Sequence, residues 1–460
     1  MSFSAACKAN IDSVDVVSGI NPWPTARASF LEACKAPTVL SAATIHSMST
    51  ALPSYEQAAA VVAAFAARLA DSRASNSIER VALAEAAGRV LARALRADRD
   101  QPPFARSTRD GYACRATEAS THESLTIAGA TRAGDAPGGP LPTQAAWEIM
   151  TGAPVPAGAD AVVMVEHVEV DGDRVRLLPP RSASAGDNIV PQGAQARAGD
   201  ELLARGAAIT FAQIALAAEC GEATLEVFRR PRVAILATGD ELVPVEATPG
   251  PGQIRNSNAP MLAALVAAAG GEPWVLAAAA DTADSLDRAL AEAATADMLL
   301  ISGGVSAGKF DLVEPALARM GATFHFTGVR IQPGKPLVFG ELPGLPFFGL
   351  PGNPVSSAVT FLLFGAPVLA ALAGRRQLGP RFALARLAAD TDLRAKAGLT
   401  RFLPASCTFS AGAGQVPEVA LVSWQGSGDL AALGRSNCFL VIPEATANLE
   451  AGAIVSILLP

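Results

Sequence analysis

Between residues 230 and 375 the chain alternates short apolar runs with alanine-rich ones, and glycine or a polar loop marks each change of period. "RVAILATGDEL" reads as a buried strand and its loop, "APMLAALVAAAGG" as a helix and "PWVLAAAA" as a strand. "SLDRALAEAATA" then reads as a helix, "DMLLISGG" as a strand and "LVEPALARMG" as a helix. Strands joined through helices at this spacing predict a parallel, doubly wound sheet with right-handed crossovers. The unit closes on "PFFGL" and the apolar run "AVTFLLFGAPVLAALA". No charged residue falls between 342 and 374, but prolines at 343, 346, 351, 354 and 367 are expected to break the run. That leaves less than the roughly 20 unbroken residues of a spanning helix, so a buried strand and a core helix are expected, with no membrane.

At 460 residues the chain is long enough for three or four compact units. "PSYEQ" provides a capping box, Ser54 followed by Gln57, and opens a helix that runs on through "AAAVVAAFAARLA". "ERVALAEAAGRVLARAL" reads as a strand followed by a short helix, and "TFAQIALAAECG" as a helix with glycine in the C′ position. Residues 98–187 hold short β-like runs, "LTIAG", "AWEIM", "AVVMVEHVEV" and "RVRLL", between Gly-Pro turns. After residue 375 come "RFALARLA", "ALVSW", "CFLVIP" and "AIVSILLP", which read as a β-barrel or sandwich. The expected units are a mixed linker domain from 52–97 and 188–229, a β-rich domain over 98–187, the doubly wound domain over 230–375 and a C-terminal β-barrel over 376–460. Residues 1–51 lack periodicity and are expected to be an extension without fixed structure, or to precede the true start; they do not read as a secretory signal.

A net charge of −7 excludes the broad basic footprint of a nucleic-acid binder. Six scattered cysteines without a C-x-x-C pair, with only four histidines, argue against structural zinc and for a reduced, cytoplasmic chain.

Ligands of open α/β sheets sit beyond the carboxyl ends of the strands. Three loops at such positions are unusual: "ATGDEL" (237–242), "SGGVSAGKFD" (302–311) and "LPGNPVSS" (350–357). Glycine admits a ligand close to the backbone, and the helix start that follows favours an anion. Asp240, Glu241 and Asp311 stand in the first two loops, and carboxylates beside a phosphate call for a hard cation such as Mg²⁺. Residues 303–309 satisfy G-x-x-x-x-G-K, but Phe310 replaces the hydroxyl residue that a P-loop needs, so the nucleotide-hydrolase signature fails. Alone, that loop reads equally as a strand-to-helix turn with Asp311 as N-cap, and Asp110 in "RSTRDGYA" as an ordinary Asp-Gly turn.

Seven motifs occur in one order: "RSTRDGYA", "TGAPVPAGADAVVMVE", "ATGDEL", "GQIRNSN", "SGGVSAGKFD", "QPGKP" and "GLPGNPVSS". In that order, over residues 52–460, the chain resembles the MoeA family, the molybdopterin molybdenumtransferases, whose relatives include the E domain of gephyrin. The resemblance implies that the doubly wound unit is a molybdopterin-binding domain. It implies insertion of molybdenum from molybdate into adenylylated molybdopterin with release of AMP, a Mg²⁺-dependent step of molybdenum cofactor synthesis. It further implies a homodimer, whose cleft lies between this domain and the partner's DGYA domain, and exchange with other proteins of that synthesis.

By the same resemblance Gly303, Gly304 and Ser306 cradle a phosphate, and Asp311 and Glu241 act on the phosphoanhydride. Asp240, Glu241, Asp311 and Asp281 are the metal candidates, and Asp110 and Thr151 face the cleft as catalytic candidates. Arg330, Gly334, Lys335 and Pro336 would meet molybdate or the pterin phosphate, as would Gly352, Asn353 and Pro354. Asn353 would either cap the next helix or touch the ligand. Two departures stand out: where relatives carry an acid in an Arg-rich stretch this chain has Gln195 in "PQGAQ", and Gln332 stands where relatives often have lysine before "PGKP". They imply a shifted oxyanion preference, such as tungstate, or reduced activity. The rival readings are a molybdopterin adenylyltransferase, which the flanking regions argue against, and a non-catalytic molybdopterin-binding scaffold.

Overall fold

The computed structural model describes residues 52–72, 78–304, 312–392, 398–409, 412, 414–444, 446 and 448–460. The chain divides after Ala51, and the fold below is that of Leu52–Pro460; the expectation for residues 1–51 lies outside the described residues.

The capping box at Ser54 forms: Gln57 N donates to Ser54 Oγ at 3.2 Å and Ser54 N donates to Gln57 Oε1 at 2.9 Å. The helix Tyr55–Ser72 that it opens buries Ala58, Val62 and Phe65, one per turn, against the central sheet. Phe65 meets the Phe339 ring edge-on at 5.1 Å.

That sheet runs Glu272–Val275, Arg232–Ala237, Met298–Ser302, Leu345–Leu350, Val338–Leu342, Thr323–Thr327. The first four strands are parallel, with helices Asn258–Ala268 and Ala283–Ala293 as crossovers. Successive side chains alternate between two cores. Val233, Ile235, Met298, Leu300 and Phe348 face one, and Ala234, Leu236, Leu299, Ile301 and Phe347 face the other. The sheet is not wholly parallel, however. Val338–Leu342 runs against both of its neighbours, because only Pro343 and Gly344 (φ +79°) join it to Leu345–Leu350, and a two-residue connection makes a hairpin and not a crossover.

The apolar run is helical from Pro354 to Leu372, and 83% of its most apolar stretch is buried inside the protein, as a core helix should be. Pro367 does not break it. A π-helical turn over Phe361–Gly365 precedes the proline and accommodates its missing N–H and its ring.

The β-rich region forms a six-stranded sheet ordered Ala161–Met164, Gly111–Cys114, Ala145–Ile149, Leu125–Thr131, Arg174–Leu177, Val168–Asp171. Two antiparallel pairs flank it in sequence, Ile78–Ala82 with Thr224–Phe228 and Leu95–Arg96 with Glu201–Leu203. The short helix expected after the first strand is only the 3₁₀ turn Leu83–Glu85. Gly88 at φ +76° ends the turn, and Val90 and Leu91 continue extended as bridges to Ala208 and Val227. Helix Phe211–Glu219 has the capping box Thr210/Gln213 and the expected glycine, Gly221, at φ +76°.

The C-terminal strands close into a barrel, Thr400–Thr408, Glu418–Leu421, Arg381–Leu387, Ile454–Leu459, Cys438–Ile442 and back to Thr400–Thr408. Thr400–Thr408 contains Pro404, which is why its run does not read as a strand. The proline falls where the strand exchanges partners: residues 401–405 pair with Cys438–Ile442 and residues 405–408 with Glu418–Leu421. Ile331–Gln332 adds to this sheet beside Thr400 and ties the preceding segment to the barrel.

Candidate active-site cleft

A cleft of about 560 Å³ opens at the carboxyl ends of the parallel strands. Thr238, Glu241, Asn258, Ser302, Gly303 and Asn353 line it, together with residues of the barrel.

In the first loop, Thr238 N donates to Ser302 O at 3.0 Å and Gly239 N to Ala279 O at 3.3 Å. Gly239, at φ +142°, leaves room for the Glu241 carboxylate to fold over it; a Cβ there would stand 2.5 Å from Glu241 Oε2. Ile254 N donates to Glu241 O at 2.8 Å, so the short pair Leu242–Val243 and Ile254–Arg255 holds this acid on the cleft wall. Asp240 goes elsewhere: its Oδ1 accepts from Asp281 N at 3.0 Å. Asp281 lines a smaller neighbouring cavity with Thr238 and Gly304. The structure thus splits the expected metal set, Glu241 to the cleft and Asp240 with Asp281 to the side. Asp311 and Ser306 lie outside the described residues. Among the described residues no three of His, Cys, Asp and Glu gather to hold a metal.

The glycines of the second loop are required by packing. Gly303 (φ +94°) would put a Cβ 2.7 Å from Thr238 O, and Gly304 (φ +62°) one 2.8 Å from Thr238 Oγ1. Thr238 Oγ1 is buried under them without a hydrogen-bond partner.

Asn258, from "GQIRNSN", is the residue that sequence reasoning did not single out. It opens helix Asn258–Ala268 and is only 8% exposed. Its Nδ2 donates to Ser302 Oγ at 2.8 Å and to Gly352 O at 2.6 Å, so one amide joins the second loop to the third. The carbonyl of Gly352 only accepts, which fixes the orientation of the amide and leaves Oδ1 buried without a partner. The signals for Asn258 were its place at the end of the "GQIRNSN" motif and a polar residue leading an otherwise apolar helix.

Asn353 precedes helix Pro354–Thr360 but makes no cap with its side chain. Its Nδ2 donates to Ser427 Oγ at 2.8 Å, and Val355 N donates to Ser427 O at 3.0 Å, binding this loop to the barrel. Gly352, Asn353 and Pro354 all line the cleft.

Arg330, Gly334, Lys335 and Pro336 stand outside the cleft lining. Arg330 N donates to Pro53 O at 2.8 Å and its guanidinium lies 3.5 Å from Glu444. Gly334, at φ +112°, faces Thr360, whose Cγ2 would be 2.5 Å from a Cβ. Lys335 is exposed, Pro336 half-buried, and Lys335 O accepts from Val329 N at 2.9 Å. Gln195 is exposed on a loop whose backbone N donates to Gln101 O at 2.8 Å, and Gln332 sits in the barrel-bound strand.

Asp110 and Thr151 come together, on the β-rich sheet and outside this cleft. Asp110 Oδ1 accepts from Thr151 N at 2.6 Å and from Thr151 Oγ1 at 2.7 Å. The backbone bond first, then the hydroxyl, hold the Asp110 carboxyl below the usual carboxylate range. A depressed carboxylate stabilises the fold above its unfolded value, near pH 4, and loses that contribution as pH falls through the lower folded value. In Thr151→Ala the backbone donor remains. The Asp110 titration followed by NMR should therefore move only part of the way up towards the ordinary value; a full return, or none, would contradict this division.

Three family models match the chain: MoeA N-terminal region (domain I and II) over residues 53–221, a probable molybdopterin binding domain over 234–371, and MoeA C-terminal region (domain IV) over 386–459. A molybdopterin molybdenumtransferase of Haemophilus influenzae is 34% identical over 82% of this chain and 92% of its own length. One from Bacillus subtilis is also 34% identical, over 83% of this chain and 89% of its own. The crystal structure of a molybdopterin biosynthesis MoeA protein from Pyrococcus horikoshii, 29% identical, superposes with a TM-score of 0.74 over 89% of this chain and 100% of its own.

Proposed function

This chain belongs to the MoeA family, and from that premise we propose that it is a molybdopterin molybdenumtransferase: it transfers molybdenum from molybdate into adenylylated molybdopterin and releases AMP. The observation that carries the proposal is the cleft itself, where Glu241, the Gly303 turn, the Asn258 amide and Asn353 meet at the ends of parallel strands.

In this chain's own residues, the backbone at Gly303 and the start of helix Asn258–Ala268 lie where they can take up phosphate oxygens. Thr238 N ties the first loop to the second, Asn258 the second to the third and Ser427 the third to the barrel, so that the phosphoanhydride is bound in one orientation. Glu241 supplies a carboxylate at the same wall. A single carboxylate among neutral oxygen donors suits Mg²⁺, which is commonly held by one or two carboxylates and the substrate's phosphates. Glu241 would hold it, and by the family resemblance so would Asp311; it would supply neutralisation of phosphate charge. Asp240, engaged by Asp281 N, would support the loop.

Asp110, fixed by Thr151 yet exposed and away from its own cleft, supports a homodimer in which that pair completes the cleft of the partner. The four described cysteines are free and buried, in keeping with a cytoplasmic protein that exchanges substrate and product with other proteins of molybdenum cofactor synthesis.

AMP release from adenylylated molybdopterin with Mg²⁺ tests the proposal, with molybdate, tungstate or no oxyanion. Release should require the oxyanion, and should fall at least about 100-fold in Glu241→Gln and in Asp311→Ala. Tight binding without release under any oxyanion would replace the enzyme with a molybdopterin-binding scaffold.

A further inference from the structure

Polar groups dominate the cleft at its loop end, but two large aliphatic side chains stand exposed in its lining, Ile254 at 56% and Leu430 at 43%. They come from different domains. Ile254 lies on the short strand that holds Glu241 through the Ile254 N to Glu241 O bond. Leu430 opens helix Leu430–Arg435 of the barrel.

The position of Leu430 is closely fixed. Asp429 caps its helix, accepting from Ala432 N at 2.9 Å on one oxygen and from Gln425 N at 2.9 Å on the other. Ser427, two residues earlier in the same turn, is bonded to Asn353 and to Val355 N on the facing loop. A segment held by four hydrogen bonds presents an exposed leucine to the cleft, although nothing in the fold itself requires that leucine to face solvent.

We infer that Ile254 and Leu430 are specificity-determining residues that grip the flat heterocyclic ring of the substrate, with the barrel turn Gln425–Leu430 setting the width of the slot. This inference rests on the proposed function. A planar bicyclic ring buries both faces against aliphatic walls, while its phosphates reach the polar end beside Gly303 and Glu241. The substrate carries two such rings, a pterin and an adenine, and both would satisfy the chemistry of the slot.

The two are separated by titrating the full chain with pterin and, independently, with AMP. Leu430→Ser and Ile254→Ser should each weaken one probe by about tenfold, the loss expected for one aliphatic wall. Leu430→Met should restore it. The probe that responds identifies the ring. In the AMP-release assay the same serine variants should raise KM by a similar factor with kcat held, because the contact is made equally before and during reaction. Serine variants that fold like the parent and bind both probes as it does would overturn the inference, as would a parent chain that binds neither. Probe binding does not depend on turnover, so an inactive parent that still shows the tenfold loss would remove the enzymatic proposal and leave the slot standing.

Discussion

Asn258→Ala is expected to reduce AMP release by about 100-fold or more and to lower the stability of the doubly wound domain by about 3 kcal/mol. The amide donates to the buried Ser302 Oγ and, in a partly buried bond, to Gly352 O. Truncation leaves the buried Ser302 hydroxyl without its donor, at a cost of about 1–3 kcal/mol, and removes the second, partly buried bond to Gly352 O. The catalytic loss follows because Ser302 and Gly352 stand at the ends of separate strands, where the second and third loops begin, and the Asn258 side chain spans them. Asn258→Asp should fare little better, since a carboxylate cannot donate to Gly352 O. Calorimetry and the AMP assay together check this; a variant with ordinary stability and rate would show that the two loops hold their register unaided.

Gly111→Ala should be the most damaging single methyl in the described chain. Gly111 begins a central strand of the β-rich sheet, between Ala145–Ile149 and Ala161–Met164. A Cβ built there stands 1.9 Å from Val163 O, a backbone atom that cannot swing away. Relief requires the two strands to part, which costs upwards of about 4 kcal/mol and displaces the neighbouring Asp110 from Thr151. Gly139→Ala, in the same region, places its methyl in open space and should leave stability within about 0.5 kcal/mol. Urea unfolding of the pair gives the comparison, and equal midpoints would refute the steric account. The Asp-Gly step, which in isolation reads as a turn, is therefore a place where two backbones approach too closely for any side chain.

The legible features were those written in local pattern. Strands such as "RVAILA" and "MLLIS" are continuous apolar runs because both of their faces are buried, and the loops that follow them carry Glu241, Gly303 and Asn353 into one cleft. Val338–Leu342 was hidden by Gly340, a residue that weakens any strand pattern. Its glycine is explained only by Phe347 and Thr323 O, each 2.5 Å from where a Cβ would lie. Asn258 was hidden because its partners are 44 and 94 residues away. The loop at Gly334 carries a family motif, yet in this chain its glycine answers to Thr360, and Lys335 is presented to solvent outside the cleft. The relation of Asp110 to Thr151 was legible only as two motifs of one family, since nothing local foretells a bond across 41 residues.

The two strand pairs that flank the β-rich sheet impose a timetable on synthesis. Ile78–Ala82 leaves the ribosome long before Thr224–Phe228 exists to cover it; Arg80 and Glu226, which meet at 3.2 Å, are 146 residues apart. At about 5–20 residues per second the first strand waits on the order of ten seconds with an unpaired edge. The sheet between them, whose strands all lie within that interval, can close while the strand waits. Exposed edges recruit other chains, and a charged one resists. "IERVA" puts Glu79 and Arg80 at adjacent positions, so that each face of the waiting strand shows a charge to the crowded surroundings of the nascent chain. Arg80→Thr, which removes only the exposed pair with Glu226, would leave the finished fold nearly untouched and make the newborn one sticky, whereas Glu79 must also serve the largely buried Arg89.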